Sequence, residues 1–229
     1  MASWFRIPTT AKFAFTALCG TILLSLPGSV ADAAEQGATL ALSEDDAAPA
    51  APCATQPFGK GCWSLGFSSG YALPFHFDAA NSDVEDSAFV PLFPRLAVSL
   101  TEPLGGESWL RGNFELAVEG HFLAQTAPHG GSAWGVSLLG RYNFLTGKRI
   151  VPFVELGGGL IDLDFGLRKR ADGFNFALQG GLGIHWLSSD RTALSALWRY
   201  HHISNSRINE PNVAVDSSMF LIGVTLFMN

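Results

Sequence analysis

The chain has 229 residues, of which 48% are hydrophobic and 15% are charged, and its net charge at pH 7 is −6. This acidic balance argues against a nucleic-acid partner, because phosphate backbones are bound by basic surfaces. The histidines and cysteines show no metal-ligand spacing and no cofactor motif is present, so the sequence indicates neither a metal site nor a cofactor.

The first 33 residues have the form of a secretory signal peptide. Arg6 and Lys12 flank the start of an apolar stretch, FAFTALCGTILLSL, which is too short to span a membrane comfortably. Ala31 and Ala33 then provide the small residues of a cleavage site. We therefore predict that residues 1–33 direct export and are removed; a retained anchor helix is the alternative.

Residues 34–61 predict a flexible periplasmic leader, because they are rich in Ala, Pro and acidic residues and lack a sustained hydrophobic pattern. Cys53 and Cys62 are the cysteines that remain after signal removal. An even pair in an exported chain indicates a disulfide, with two independent thiols as the alternative.

From Cys62 onward, hydrophobic residues recur every second position, which is the repeat of a β-strand with one apolar face. In WLRGNFELAVEGHF, for example, even-numbered positions are apolar and most odd-numbered ones are polar or small. The second strand is the least regular, because Pro91 and Pro94 disfavour a central strand. The eight predicted strands cover about 62–74, 88–100, 109–123, 133–145, 150–161, 174–187, 191–203 and 215–228.

The connections between these strands suggest a membrane barrel rather than a soluble sandwich, which alternation alone would also fit. Short connections near 146–149 and 188–190 alternate with longer ones, as in barrels with tight periplasmic turns and long external loops. We predict an all-β fold: an eight-stranded antiparallel transmembrane β-barrel of the outer membrane over residues 62–229. Tryptophans near strand ends fit its interfacial girdles: Trp63, Trp109, Trp134, Trp186 and Trp198.

An eight-stranded barrel is narrow enough for side chains to fill it, so no wide pore is expected. The glycines at 157–159 are expected to permit close packing in this interior. Charged residues on the inward face are expected to pair with one another rather than to line a transport pathway. These are Glu115, Glu119, Glu155, Arg141 and Arg199.

The seventh and eighth predicted strands place polar residues among lipid-facing ones. Alternation puts His202 and Ser204 on the outer face, whereas His201 points inward, and Asp216 starts the outward row of the last strand. Polar groups facing lipid are costly, which indicates a functional site, although wet strand ends are an alternative. A serine beside an imidazole that is held by a carboxylate is the arrangement of an acyl hydrolase, with Asn205 as candidate oxyanion donor.

This segment resembles the C-terminal motif of the PagL-type lipid A deacylases. The similarity is carried by HISN at 202–205, NEPN at 209–212 and an acidic residue twelve positions after the serine. It is sharpest over 199–218 and extends loosely over 62–229. The resemblance implies an outer-membrane esterase that removes the 3-position acyl chain of lipid A, with lipopolysaccharide and membrane lipid as partners.

By the same resemblance, Ser204 is expected to be the nucleophile, His202 the base, Asp216 the orienting acid and Asn205 the oxyanion donor. The family members carry Glu at the acid position, whereas Asp216 is one methylene shorter, so Glu210 is a second candidate. A non-enzymatic barrel, an adhesin or a structural protein, is the alternative function. The oligomeric state is left open between a monomer and a homodimer.

Overall fold

The computed structural model describes residues 53, 57–75, 87–127, 130–167, 172–210 and 213–228. The predicted signal peptide and most of the predicted leader lie outside these residues, so both assignments stay predictions. Among the described residues, no helix is long and apolar enough to cross a membrane.

Eight antiparallel strands form a closed barrel in which every strand pairs with its neighbours in sequence and β8 pairs back with β1. The predicted fold class is confirmed, including the irregular second strand. Large apolar side chains are exposed around the outside, a surface that is compatible with lipid rather than water. The strands are β1 (Trp63–Phe75), β2 (Ala88–Ser99), β3 (Gly112–Ala127), β4 (Gly131–Phe144), β5 (Ile150–Asp164), β6 (Gly173–Ser189), β7 (Thr192–Ser204) and β8 (Val215–Met228).

The largest difference from the predicted boundaries concerns β3, which begins and ends later than expected. Leu104 and Gly112 form a bridge, and Gly105 and Gly106 have positive φ values of 84° and 57°, so residues 105–111 turn the chain before β3 begins. β3 then runs on so far that only residues 128–130 link it to β4. The predicted alternation of short and long connections is therefore wrong at these two links.

The two prolines of β2 are accommodated by local gaps in pairing. The ladder with β3 passes from Leu92 to Arg95 without a residue pair at Phe93 and Pro94. The ladder with β1 passes from Leu92 to Phe89, so Pro91 has no partner there, although its carbonyl accepts a hydrogen bond of 2.8 Å from the Ser69 hydroxyl. Each proline thus interrupts the pairing with the neighbouring strand locally without ending β2.

The barrel interior contains a buried layer of ion pairs that includes all five predicted residues. Arg199 lies 2.7 Å from carboxylate oxygens of both Glu119 and Glu155. Arg141 lies 2.9 Å from Glu155 and 3.6 Å from Glu115. The predicted structural pairing of inward charges is confirmed.

Arg95 on β2 also belongs to this layer, although the sequence did not single it out. Its guanidinium lies 3.1 Å from Glu155, so this one carboxylate receives three arginines. Rings of Phe153 and Phe93 stack on Arg141 and Arg199, with guanidinium-to-centroid distances of 4.1 and 4.8 Å. Three arginines and three glutamates of the described barrel therefore balance in formal charge, which is the condition for burying them together.

Apolar side chains and glycines complete the filling of the interior. One buried apolar cluster includes Phe89, Phe165 and Met219, and another surrounds Phe227 near the opposite end. A Cβ at Gly157 or Gly159 would overlap the backbone of β4, so these inward positions require glycine for the close approach of β4 and β5. The expected role of the glycine run is confirmed.

Replacing Glu155 with Gln should strongly destabilise the barrel. The change leaves Arg95, Arg141 and Arg199 with one fewer buried counter-charge, a defect that costs about 3–5 kcal/mol in other proteins. Urea titration of the folded barrel in detergent measures the loss. Asp190→Asn, in the exposed turn between β6 and β7, is the matched control and should change the free energy of unfolding by less than about 0.5 kcal/mol. Equal stabilities of the two variants would contradict a structural role for the ion-pair layer.

Residues just before β1 pack onto the barrel instead of extending freely as the leader prediction implied. Cys53 and Cys62 are joined by a disulfide, which confirms the predicted bridge. Within the closed loop, Phe58 is buried, and its ring lies 5.1 Å from that of Phe227 in an edge-to-face arrangement. The amide of Gly61 donates a 2.8 Å hydrogen bond to the Ser99 carbonyl. The described residues 57–62 therefore cover part of one end of the barrel.

Replacing both Cys53 and Cys62 with Ser should weaken this covering but leave the barrel closed. The sequence separation is 9 residues, and closing a loop of that size is worth about 2–3 kcal/mol in the chain-entropy model. The expected result is a lower urea midpoint with the mobility shift of a folded barrel retained on an unheated gel. Loss of that shift would show that the bridge is needed for the barrel itself.

Candidate active site

Three polar side chains meet on the outer surface where β7 ends and β8 begins. His202 on β7 is directly opposite Asp216 on β8, so their side chains lie on the same face of the sheet. Ser204 is two residues after His202 and shares that face. The intervening Ile203 and the preceding His201 are buried inside the barrel. The structure thus brings together His202, Ser204 and Asp216 on the lipid-facing side.

The imidazole of His202 lies between the hydroxyl and the carboxylate. Its Nε2 is 3.1 Å from the Oγ of Ser204, and its Nδ1 is 2.7 Å from the Oδ1 of Asp216. When Nδ1 carries the proton and donates a hydrogen bond to the carboxylate, the lone pair of Nε2 faces the serine hydroxyl. The His202 side chain is 30% exposed and that of Asp216 is 10% exposed, so the imidazole is accessible while the carboxylate is mostly covered.

Tyr200 is a fourth member of this cluster that the sequence analysis did not assign to the site. Its hydroxyl donates a hydrogen bond to Oδ1 of Asp216. Its ring lies 6.1 Å from the ring of Phe75 on β1, which is the residue paired with Asp216 on the other side of β8. The sequence contained a signal, since Tyr200 is outward-facing and two residues before His202, but alternation alone does not distinguish it from the apolar residues on the same face.

The loop after β7 is organised by Asn205. The Nδ2 of this residue donates a 2.8 Å hydrogen bond to the Asn209 carbonyl, and its Oδ1 accepts a 3.0 Å hydrogen bond from the backbone amide of Arg207. Ser206 and Arg207 both have positive φ values, 53° and 63°, in the left-handed region that is unfavourable for non-glycine residues. The Asn205 side chain thus fixes a strained turn directly after the serine. Its predicted oxyanion role stays a prediction.

The second candidate acid, Glu210, lies exposed in the same loop. The carboxylate beside the imidazole is that of Asp216, at hydrogen-bonding distance from Nδ1. The geometry therefore favours Asp216 over Glu210 as the partner of His202.

Apolar side chains border the polar cluster on both sides. Phe176 and Leu178 on β6 are directly opposite Ser204 and His202, and they are 38% and 54% exposed. Phe75 lies opposite Asp216 on β1. A molecule reaching the serine therefore contacts apolar surface on both flanks, which suits an ester that carries hydrocarbon chains.

A second serine–histidine pair lies inside the barrel but is unsuited to catalysis. The Nδ1 of His185 is 2.8 Å from the Ser195 hydroxyl, while its Nε2 is 3.0 Å from a guanidinium nitrogen of Arg141. Arginine only donates, so Nε2 must accept and Nδ1 must carry the proton. This ring is unable to take a proton from Ser195. Among the described residues, no group of three or more His, Cys, Asp or Glu side chains is arranged to hold a metal ion.

Comparison with known proteins gave a family match and several structural neighbours. The model of a family described as lipid A 3-O-deacylase (PagL) matches residues 95–225. No curated protein sequence matches significantly.

The solved structures that are similar to this chain include outer-membrane β-barrel proteins. The outer membrane enzyme PagL is 16% identical, with 70% of this chain and 97% of that chain covered and a TM-score of 0.47. Neisserial surface protein A is 17% identical, with 72% and 96% covered and a TM-score of 0.48. Ail, the attachment invasion locus protein of Yersinia pestis, is 12% identical, with 74% and 99% covered and a TM-score of 0.40.

Proposed function

The chain belongs to the lipid A 3-O-deacylase (PagL) family, and we propose from this that it hydrolyses the ester-linked acyl chain at the 3-position of lipid A by a Ser-His-Asp mechanism. The protein is an outer-membrane β-barrel, so its site faces the lipid that contains this substrate. The observation that carries the proposal is the position of His202, within hydrogen-bonding distance of both Ser204 and Asp216 on the lipid-facing surface.

In the proposed acylation step, Ser204 attacks the carbonyl carbon of the ester. His202 Nε2 accepts the hydroxyl proton as the new bond between Oγ and the carbonyl carbon forms. Asp216 stabilises the resulting imidazolium through Nδ1. Collapse of the tetrahedral intermediate breaks the bond to the sugar oxygen, which leaves with the proton from His202. The product of this step is an acylated serine and a free sugar hydroxyl.

Deacylation repeats the same steps with water. His202 removes a proton from a water molecule as its oxygen attacks the acyl-serine carbonyl, and then returns the proton to the Ser204 oxygen as that bond breaks. A fatty acid is released and the serine is restored. During both steps the oxyanion needs a hydrogen-bond donor. We assign this role to the second Nδ2 hydrogen of Asn205, since the first is donated to the Asn209 carbonyl.

We infer that the site acts at the boundary between lipid headgroups and acyl chains. With the N-terminus of the barrel in the periplasm, β7 runs outward, and the described loop residues that follow it, 205–210, lie outside the cell. His202 and Ser204 then lie at the outer-leaflet end of β7, between apolar side chains of β6 and the external loop. The ester bond that joins an acyl chain to the sugar of lipid A lies at the depth of Ser204 while the lipid stays in the membrane.

Ser204→Ala and His202→Ala should each abolish deacylation. The first removes the nucleophile, and the second leaves a neutral hydroxyl without a base. The measurement is incubation of the purified barrel with lipid A, followed by mass spectrometry for the loss of one hydroxyacyl chain. A fall of about 1,000-fold or more is expected for both variants, as in other serine hydrolases.

His201→Ala is the matched control for these variants, since His201 is adjacent in sequence but buried inside the barrel. The folded fraction of this variant should retain most of the activity, because its ring has no access to the outer surface. An inactive His201→Ala barrel together with an active His202→Ala barrel would contradict the assignment of the site to the outer face.

The identity of the acid is tested by comparing Asp216→Asn with Glu210→Gln. The first variant removes the charge that stabilises the imidazolium and disturbs the tautomer of His202, so deacylation should fall by about 100-fold or more. The second should change the rate by less than about threefold, since Glu210 lies exposed in the loop. The reverse order of effects would assign the acid role to Glu210.

A further inference from the structure

We propose that Tyr200 is a positioning residue for the acid of the site: its hydroxyl holds the Asp216 carboxylate in the orientation that keeps His202 aligned with Ser204. This inference rests on the proposed function, since it assigns Tyr200 a part in the same reaction. Tyr200 acts through Asp216 and does not contact the reacting atoms in this assignment.

The first observation is that one carboxylate oxygen is held from two sides. Oδ1 of Asp216 accepts the hydrogen bond from the Tyr200 hydroxyl and also faces His202 Nδ1 at 2.7 Å. The terminal torsion of an aspartate is broad, so a single hydrogen bond leaves the carboxylate free to rotate. A second donor on the same oxygen restricts that rotation and therefore also the direction of the imidazole.

The second observation concerns the surroundings of the carboxylate. The Asp216 side chain is 10% exposed and lies on the membrane-facing surface, so little water is available to solvate its charge. A carboxylate taken out of water is stable only with hydrogen-bond donors around it. The Tyr200 hydroxyl supplies such a donor without adding charge, and it stabilises the ionised form that supports the imidazolium.

The third observation is that the phenol itself is held in place. Tyr200 starts from β7, yet its ring contacts the ring of Phe75 on β1, which pairs with β8 on the other side. The ring therefore extends across β8, the strand that carries Asp216. A side chain fixed at both ends directs its hydroxyl with little loss of freedom when the hydrogen bond forms.

Tyr200→Phe tests the proposal, because it removes only the hydroxyl and keeps the ring contact with Phe75. We expect kcat for lipid A deacylation to fall about 10-fold, since hydrogen bonds to charged groups are of this strength, and KM to stay unchanged, since Tyr200 does not contact the substrate in this assignment. Tyr71→Phe is the matched control: Tyr71 is also outward-facing, on β1 opposite Phe220, away from the site. It should leave kcat unchanged.

A double-mutant cycle separates positioning from a general effect on the barrel. In an Asp216→Ala background, Tyr200→Phe should change the rate less than about twofold, because its partner is already absent. A 10-fold fall in both backgrounds, or an unchanged kcat in the single variant, would overturn the role of Tyr200.

Labelling of Ser204 by a fluorophosphonate distinguishes failure of this inference from failure of the proposed function. The serine oxygen forms a bond to phosphorus, its proton passes to His202 and fluoride leaves, so the rate reports the activated nucleophile without lipid A. A labelling rate about 10-fold slower in Tyr200→Phe supports the inference, and equal rates overturn it. A wild-type barrel that is labelled but does not deacylate lipid A would overturn the assignment of lipid A as the substrate. The labelling rate of Tyr200→Phe would still decide the role of Tyr200.

Discussion

The pairing of β8 with β1 is the constraint from which the rest of the molecule follows. It runs from Trp63 opposite Met228 to Phe75 opposite Asp216, so the sheet has no free edge among its described strands. In lipid, an open edge would leave backbone donors and acceptors without partners. Closure also separates the two faces of every strand, one into a narrow interior and the other into the membrane. Each strand residue of the barrel therefore faces either the interior or the membrane, and its odd or even position along the strand decides which.

Strand β7 shows how the two environments support one another. Its inward residues include Arg199, which is bound to Glu119 and Glu155, and its outward residues include Tyr200 and His202 of the candidate site. The buried ion pairs connect β7 to β3 and β5, strands that it does not contact through the backbone ladder. A strand fixed from inside the barrel presents its outward side chains in a defined orientation, which a hydrolase needs at the level of tenths of an ångström.

The sequence predicted which face of its strand each residue lies on, because alternation along the strand determines this. It did not predict features that depend on contacts between neighbouring strands. Alternation predicted the eight strands. It also put His202 and Ser204 on the outer face, because successive residues of a strand point either inward or outward. It gave no reason to separate Tyr200 from the other outward aromatics, since that distinction depends on Asp216 lying on the neighbouring strand. The turn before β3 was missed for a similar reason, because the bridge that forms it joins residues on either side of two glycines.

The candidate site is a property of strand register rather than of a pocket. His202 faces Asp216 because the two residues are paired across the β7–β8 hairpin, and a slip of one residue in that pairing would turn Asp216 into the barrel. The same register places Phe75 of β1 beside Asp216, where its ring supports that of Tyr200. Three strands thus contribute to the position of one carboxylate, and two of their pairings meet at β8. Closure of the sheet, which satisfies the backbone in lipid, therefore also brings Phe75 of β1 to the ring of Tyr200, beside the His202–Asp216 pair of the β7–β8 hairpin.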